Sequence, residues 1–164
     1  TDRDAIIFRD HDFEVFIDPD HDQKAYFEFE INTFGIVMDL FMDKTYKNGG
    51  IADLGWNAAG LVSAVATDGT INRNNDTDKG WTVEMAIPFK ALHHAGTICK
   101  PESGTVWKIN FSRVQWTLDK DGSTYKKRTG AGGKPLPEHN WVWSPQGIID
   151  MHAPQYWGLV HFAD

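Results

Sequence analysis

The sequence predicts an all-β protein, an antiparallel β-sandwich with one short helix. Three observations support this fold class. Short apolar runs that alternate with polar residues recur along the chain, as is typical of strands. Groups of glycine, asparagine and aspartate separate these runs and favour turns. At 164 residues the chain is long enough for one domain with a core and too short to favour two, so we assign residues 1–164 to a single domain.

Seven segments carry the strand pattern, namely residues 12–17, 26–31, 36–42, 61–66, 81–87, 105–116 and 156–162. One further segment, PFKALHHAG, indicates a helix, because Pro88 at its start and Gly96 at its end favour helix boundaries. The stretch from Gly130 to Asn140 is predicted to be a long loop. Many short strands with one short helix favour a sandwich.

Composition and charge argue against several function classes. The net charge is −7 with acidic and basic residues intermixed, so the basic stripe that nucleic acid requires is missing and anionic membrane surfaces are disfavoured. No run of about 18 apolar residues could span a bilayer. Aromatic residues make up 13% of the chain and include seven tryptophans, more than a core of this size usually needs. Some tryptophans are therefore expected on the surface as binding platforms.

The first two predicted strands form a hairpin with one apolar and one acidic face. In the expected register each apolar residue faces another, in the pairs Phe13–Ile31, Val15–Phe29 and Ile17–Phe27. The opposite face carries Glu14, Phe16, Glu28 and Glu30. We expect this acidic face to be exposed, because facing carboxylates repel and are tolerated best where a cation, an arginine or a ligand's hydroxyl groups engage them.

The tip of this hairpin, DPDHD, has two interpretations. Asp18, Asp20 and Asp22 have the one-three-five spacing with which calcium loops collect oxygen ligands. An EF-hand loop would continue with glycine and glutamate, where Gln23 and Phe29 stand here. Aspartate and proline also favour a tight turn without any metal. Calcium is therefore the one cofactor that the sequence suggests, and a plain turn is the alternative.

The sequence contains no motif for zinc binding, phosphate binding or covalent catalysis. The seven histidines form no spaced pair such as HExxH, and His93 and His94 are adjacent. The segment GAGGKP lacks the spacing and the hydroxyl residue of a phosphate loop. The single cysteine, Cys99, excludes an internal disulfide and is expected to be inert. Glu14 and Glu30 could act as the paired carboxyl groups of a glycosidase, so a glycan-active enzyme is one alternative function.

The segment NWVWSPQGIIDMHAPQYWG indicates sugar recognition. Trp141 and Trp143 alternate with Val142, so in an extended segment the two tryptophans share a face. Tryptophan rings stack on the apolar C–H side of pyranoses, and neighbouring amides such as Asn140 can bind hydroxyl groups. We expect one of the two tryptophans in the core and the other exposed.

Five segments, taken in order, resemble the family 9 carbohydrate-binding modules and their relatives in the DOMON-like superfamily: FEVFIDPDHD, YFEFEIN, GWTVEMAIPFKAL, WKINFSRVQW and NWVWSPQGIIDMHAPQYWG. Together they cover nearly the whole chain. The resemblance implies a non-catalytic β-sandwich that holds a sugar between two aromatic rings, with structural calcium nearby. It also implies an extracellular or periplasmic bacterial protein that accompanies polysaccharide-degrading enzymes or stands alone.

The resemblance implies a sugar site formed by Phe8, Glu14, Glu28, Arg113, Asn140 and Trp143. The family's two aromatic positions match Phe8, six residues before Glu14, and Trp143, three residues after Asn140. Phenylalanine is a smaller platform than the family's tryptophan. Better-known members use a basic residue where Glu28 stands here, and an arginine on another strand could supply that charge.

Two further expectations follow from the resemblance. Relatives carry roughly two more strands before the segment that matches Thr1, and a sandwich without them exposes a sheet edge and part of its core. We expect a partner chain, a swapped dimer or a segment outside this numbering to replace those strands. A different class of function is also open, since a haem-binding or electron-transfer DOMON domain would use Met151 with His152 or His161.

Overall fold

Strands dominate the structure, a computed structural model that describes residues 3–94, 97–98 and 100–164. Within these residues the strands are β1 (Asp12–Asp18), β2 (Tyr26–Asn32), β3 (Val37–Met42), β4 (Ala52–Asp53), β5 (Val62–Asp68), β6 (Gly80–Ala86), β7 (His93–His94), β8 (Thr97–Ile98), β9 (Val106–Gln115), β10 (Leu118–Asp121), β11 (Thr124–Lys127), β12 (His139–Val142) and β13 (Gly158–His161). Each of the seven predicted strand segments overlaps one of them. The all-β prediction is therefore confirmed.

In the described part of the chain, seven antiparallel strands form a principal sheet in the order β12-β9-β1-β2-β3-β4, and β13 also pairs with β9. β9 pairs with β13 near its start and with β12 near its end. β1 and β2 pair in the predicted register, with Val15 opposite Phe29 and Glu14 opposite Glu30. This register is favoured because a shift by one residue would move the acidic side chains onto the apolar side.

The apolar face of the principal sheet, which carries Phe13, Val15 and Ile17, forms the larger core. Its buried cluster consists of Val15, Ile17, Phe27, Phe29, Phe41, Trp56, Ala58, Ala91, Leu92 and Trp107. Met85 of the β5–β6 hairpin packs against this cluster, so the hairpin supplies the second layer of the sandwich. That layer leaves the part of the apolar face near Phe13 beside an open groove.

The acidic face of the principal sheet is buried, and the expectation that it would be exposed is wrong. Glu14, Glu28 and Glu30 are between 2% and 4% exposed. The reason is that this face also carries large apolar side chains, which require a cover. Ile7 from the segment before β1, and Trp157 from the segment before β13, pack on these apolar residues, which include Phe16, Tyr26, Met38, Leu40 and Met42. The glutamates are enclosed together with them.

The predicted helix after Pro88 is a single 3₁₀ turn, Phe89–Ala91. One turn is enough to bury Ala91 and Leu92 in the larger core. Leu92 then leaves the helical region, at φ −74° and ψ 63°, and the chain continues into β7. Gly96, the predicted end of the helix, and the expected inert thiol of Cys99 lie outside the described residues. Among the residues that are described, no helix has the length and apolar character needed to cross a membrane.

Candidate functional site

Trp141 and Trp143 project from one face at the edge of the principal sheet. Trp141 of β12 lies opposite Arg113 of β9, and the backbone N–H of Trp143 donates a hydrogen bond of 2.9 Å to the carbonyl of Phe111. Trp141 is 66% exposed and Trp143 is 55% exposed. The predicted shared face agrees with this arrangement, but the expectation that one ring is core is wrong. We call Trp141, Trp143 and Arg113 the tryptophan platform.

The ring of Trp143 is held in place by its neighbours. It packs edge-on against Phe111, with ring centroids 5.7 Å apart, and Phe111 in turn stacks on Phe13 at 6.0 Å. The ring also lies directly over Gly158 of β13, where an added Cβ would stand 2.3 Å from a ring carbon. Glycine at this position therefore allows the tryptophan to lie close against the strand.

Replacing Gly158 by alanine is expected to displace the Trp143 ring. The new methyl group would overlap the ring, and relief of such a clash typically costs about 1–3 kcal/mol of stability. Near-UV circular dichroism and tryptophan fluorescence should both change. Gly55→Ala is the matched control, because its added Cβ meets its nearest atom, an oxygen of Asp53, at 3.3 Å. Near-UV spectra of Gly158→Ala that match those of the wild type would contradict this packing.

A groove of about 1080 Å³ begins beside the platform. It lies between the apolar face and the hairpins β5–β6 and β10–β11, and Arg113, His11 and Phe13 form part of its wall. A second cavity of about 450 Å³ shares His11 and is bordered by Trp116 and Trp141. Burial lowers the pKa of His11, and the nearby Arg113 lowers it further, so the imidazole is neutral at pH 7. The platform is thus continuous with an open, partly aromatic groove that carries the positive charge of Arg113.

The six residues of the implied sugar site are divided between two faces of the sheet. Arg113 and Trp143 lie on the side of the apolar face. The other four lie on the acidic face or precede it, and they are Phe8, Glu14, Glu28 and Asn140. The platform therefore contains two of the six residues, together with Trp141, which the family pattern did not indicate. The alternation of the two tryptophans along β12 was the signal for that third residue.

Phe8 and Asn140 lie at the same end of the principal sheet. Asn140 pairs with Val114, which in turn pairs with Asp12 at the start of β1. Phe8 is 43% exposed in the turn four residues before that start. The structure thus offers an exposed aromatic ring at this end, on the segment that helps to cover the acidic face.

Three buried carboxyl groups converge on the acidic face. One oxygen from each of Asp12, Glu14 and Glu30 lies within 4.8 Å of the others. Burial, followed by repulsion from neighbouring carboxyl groups, raises the pKa of Asp12 to about 9, that of Glu14 to about 8 and that of Glu30 to about 9. Burial also raises the pKa of Glu28 beside them. We call Asp12, Glu14 and Glu30 the carboxylate cluster.

The glycosidase alternative finds no support in this geometry. Glu14 and Glu30 face each other across β1 and β2, but both are covered by apolar side chains. Of the described residues that line the two cavities, none belongs to the carboxylate cluster. A glycosidase acid must reach the scissile bond of its substrate, and these carboxyl groups are closed off from solvent.

The aspartate-rich tip of the first hairpin brings its three carboxylates together. Oxygens of Asp18, Asp20 and Asp22 lie within 4.8 Å of one another. The tip also forms turn hydrogen bonds, since the backbone N–H of Gln23 donates to Asp18 at 2.9 Å and that of Lys24 donates to Asp22 at 2.7 Å. Burial raises the pKa of Asp18 to about 7. Both the turn and the carboxylate grouping are present, and calcium binding here stays a prediction.

Two of the three residues of the haem alternative, Met151 and His152, make contacts inside the protein, whereas His161 is exposed on β13. The hydroxyl of Ser112 donates to the sulfur of Met151 at 3.0 Å. Nδ1 of His152 shares a hydrogen bond of 2.8 Å with the Tyr26 hydroxyl, and its Nε2 lies 3.7 Å from Glu28. These contacts occupy the ligating atoms of Met151 and His152, so the arrangement does not favour axial ligation by this pair.

Comparisons with known proteins support the fold. No protein-family model matches the chain, and no curated protein sequence matches it. A solved structure from Bacteroides uniformis ATCC 8492, described as a "putative carbohydrate-binding protein", superposes with a TM-score of 0.62 at 21% identity. The match covers 98% of this chain and 65% of that protein, so the chain spans less than two thirds of its neighbour's length. At this level of identity the similarity establishes a shared all-β architecture.

Proposed function

We propose that this chain is a non-catalytic carbohydrate-binding domain and that the tryptophan platform is its binding surface. The observation that carries the proposal is the exposure of Trp141 and Trp143, at 66% and 55%, side by side on one face. Adjacent exposed tryptophans are costly to hydrate and mark contact sites on protein surfaces. Flat indole rings match the apolar C–H face of a pyranose, so a glycan is the ligand class that this surface fits.

The platform is organised before any ligand arrives. Phe111 and Gly158 fix the ring of Trp143, so little side-chain entropy is lost when a sugar stacks on it. Arg113, opposite Trp141, presents several N–H groups that can donate hydrogen bonds to the hydroxyl oxygens of a sugar. The platform therefore combines stacking with directional hydrogen bonds.

The open shape of the site favours the interior of a polysaccharide over a chain end. Trp141 lies on β12 and Trp143 directly follows it on the same face, and the groove continues from Arg113 along the apolar face. A row of this kind fits an extended chain, whereas the family 9 arrangement encloses a sugar between two facing rings. The proposal thus keeps the ligand class that the sequence resemblance implies and differs in the mode of binding.

Two lines of support come from outside the site. The structural neighbour is itself described as a putative carbohydrate-binding protein, and five ordered sequence segments resemble family 9 modules. An extracellular or periplasmic location, and association with polysaccharide-degrading enzymes, belong to the same proposal.

Affinity electrophoresis and calorimetry against a panel of soluble polysaccharides test the proposal. We expect the wild type to bind at least one polysaccharide and Trp143→Ala to lose most of that binding. Tyr46→Ala is the matched control, because Tyr46 is an aromatic residue 50% exposed in the turn Tyr46–Asn48 and lines neither the groove nor the second cavity. Equal binding by Trp143→Ala and the wild type would move the site elsewhere. A wild type that binds no member of a broad panel would remove carbohydrate binding itself.

A further inference from the structure

We propose that the carboxylate cluster of Asp12, Glu14 and Glu30 is a buried site for a divalent cation that prefers oxygen ligands, with calcium as the favoured ion. The site lies inside the acidic face of the principal sheet, between β1 and β2 and beneath the segments that cover that face. It is separate from the tryptophan platform, and it is also separate from the aspartate-rich tip of the hairpin.

Carboxylate oxygens without hydrogen-bond partners converge at this point of the acidic face. Both side-chain oxygens of Asp12, and Oε2 of Glu14 and of Glu30, are buried without a hydrogen-bond donor. Oε2 of Glu28, next to the cluster, is in the same situation. Buried polar atoms are almost always paired in folded proteins, so several unpaired oxygens at one point indicate a missing positively charged partner.

No cationic side chain of the described residues lies within 4 Å of the cluster to supply the compensating charge. Among the described residues, the one basic group placed within 4 Å of these glutamates is the imidazole of His152, 3.7 Å from Glu28. Burial lowers the pKa of His152 to about 4, so the ring is neutral at pH 7. Arg3 does form an ion pair with a buried acid, Asp39 of β3. Asp39 lies on the apolar face of the sheet, so Arg3 does not compensate the cluster. The cluster therefore needs either a cation or several protons.

Distances within the cluster suit calcium. Calcium binds oxygen ligands at about 2.3–2.6 Å, so two ligands of one calcium ion are at most about 5 Å apart. The oxygens of the cluster lie within 4.8 Å of one another. Asp12 can bind through both oxygens, as carboxylates often do in calcium sites. A shared proton between Asp12 and Glu30 is the competing arrangement, because these two carboxyl groups lie within hydrogen-bonding reach.

The carboxylate cluster and the aspartate-rich tip of the hairpin can be tested independently. Asp12 and Asp18 mark opposite ends of β1, six residues or about 20 Å apart. Asp20→Asn/Asp22→Asn neutralises the tip and leaves the cluster intact. Asp12→Asn/Glu30→Gln replaces two of the three carboxyl groups of the cluster by amides of nearly the same shape and keeps Glu14, which also relieves the repulsion between buried carboxylates.

The experiment is a thermal melt of the full chain, freed of metal with a chelator and then titrated with calcium chloride. In the tip variant, calcium at about 100 times its dissociation constant should raise the melting temperature by about 5–10 °C. Adding Asp12→Asn/Glu30→Gln to that variant should abolish the shift. A shift that is absent in the tip variant, or that persists in the combined variant, would overturn the proposal.

Infrared spectroscopy of the wild type gives an answer even if the cluster variant does not fold. The metal-free protein should show a C=O band from protonated carboxyl groups, and saturating calcium should weaken that band as the three ligands ionise. A protonated-carboxyl band of the same intensity with and without saturating calcium would show that protons, and not a cation, hold the cluster together.

Discussion

Replacing Trp141 and Trp143 together by alanine is expected to lower the affinity for a bound polysaccharide by about 100-fold. Truncating one well-placed aromatic contact typically costs about 1–2 kcal/mol, which corresponds to roughly tenfold in affinity. Trp141 lies on β12 and Trp143 directly follows its end, so in extended backbone the two residues are about 7 Å apart. Rings at this spacing can stack on different sugars of one chain, so their effects should combine.

Calorimetry of the wild type, both single variants and the double variant forms a double-mutant cycle that measures this coupling. Two independent contacts give tenfold losses that multiply in the double variant. A single variant that already loses all affinity would indicate that both rings contact the same sugar residue. Both side chains are more than half exposed, so the melting temperatures of the three variants should stay close to that of the wild type. A double variant with wild-type affinity would contradict the platform.

The first hairpin shows how far the sequence could predict the structure. Its register followed from local pattern alone, because the pairs Phe13–Ile31 and Ile17–Phe27 allow one alignment that keeps the acids off the apolar face. The burial of the other face depends on Ile7 and on Trp157, the latter 130 residues after Phe27 in the sequence. Strand alternation gives the two sides of a sheet, but it does not show which distant segment will cover each side.

Trp141 and Trp143, at and just after the end of β12, illustrate the same limit. Their spacing correctly predicted a shared face, since successive side chains of a strand alternate. Their exposure depends on how far the second layer extends over the apolar face. That layer is built on the β5–β6 hairpin, which packs on the core through Met85 and leaves the edge at β12 open. The extent of a layer is a property of tertiary packing, so the sequence favoured one core tryptophan where the structure has two exposed ones.

The segment after Pro88 was predicted to be a longer helix than the single 3₁₀ turn that the structure shows, and the reason is local. Proline at its start and glycine at its end resemble helix boundaries, and the residues between them have no strand alternation. A helix this short is marginal without packing, and the single turn Phe89–Ala91 already places Leu92 in the core. The pairing of His93–His94 with Thr97–Ile98 then satisfies backbone groups that a longer helix would have used.

In the presence of a chelator, the chain is expected to lose stability as the pH rises from about 6.5 to 9. The folded-state pKa values of Asp12, Glu14 and Glu30 are raised to about 9, 8 and 9, far above those of an unfolded chain. The folded state therefore holds more protons than the unfolded state in this range, and stability falls with pH. Each such carboxyl group contributes up to about 1.4 kcal/mol per pH unit.

Below pH 6.5 the titration of His152 changes stability with pH in the opposite direction, so the effect of the cluster is best measured above pH 6.5. The pKa of His152 is lowered to about 4 by burial, so its protonation on acidification destabilises the fold between pH 6.5 and 4. Above pH 6.5 this imidazole is neutral in both states, while Asp18, whose pKa is raised to about 7, adds to the decline caused by the cluster.

Urea denaturation at pH 6.5 and 8.5 should show a lower midpoint at the higher pH, and Asp12→Asn/Glu30→Gln should flatten this dependence. Calcium should reverse its sign, because a bound cation replaces the protons and binds more tightly as the pH rises. Equal midpoints at the two pH values in chelator would mean that the cluster ionises freely, in conflict with its burial.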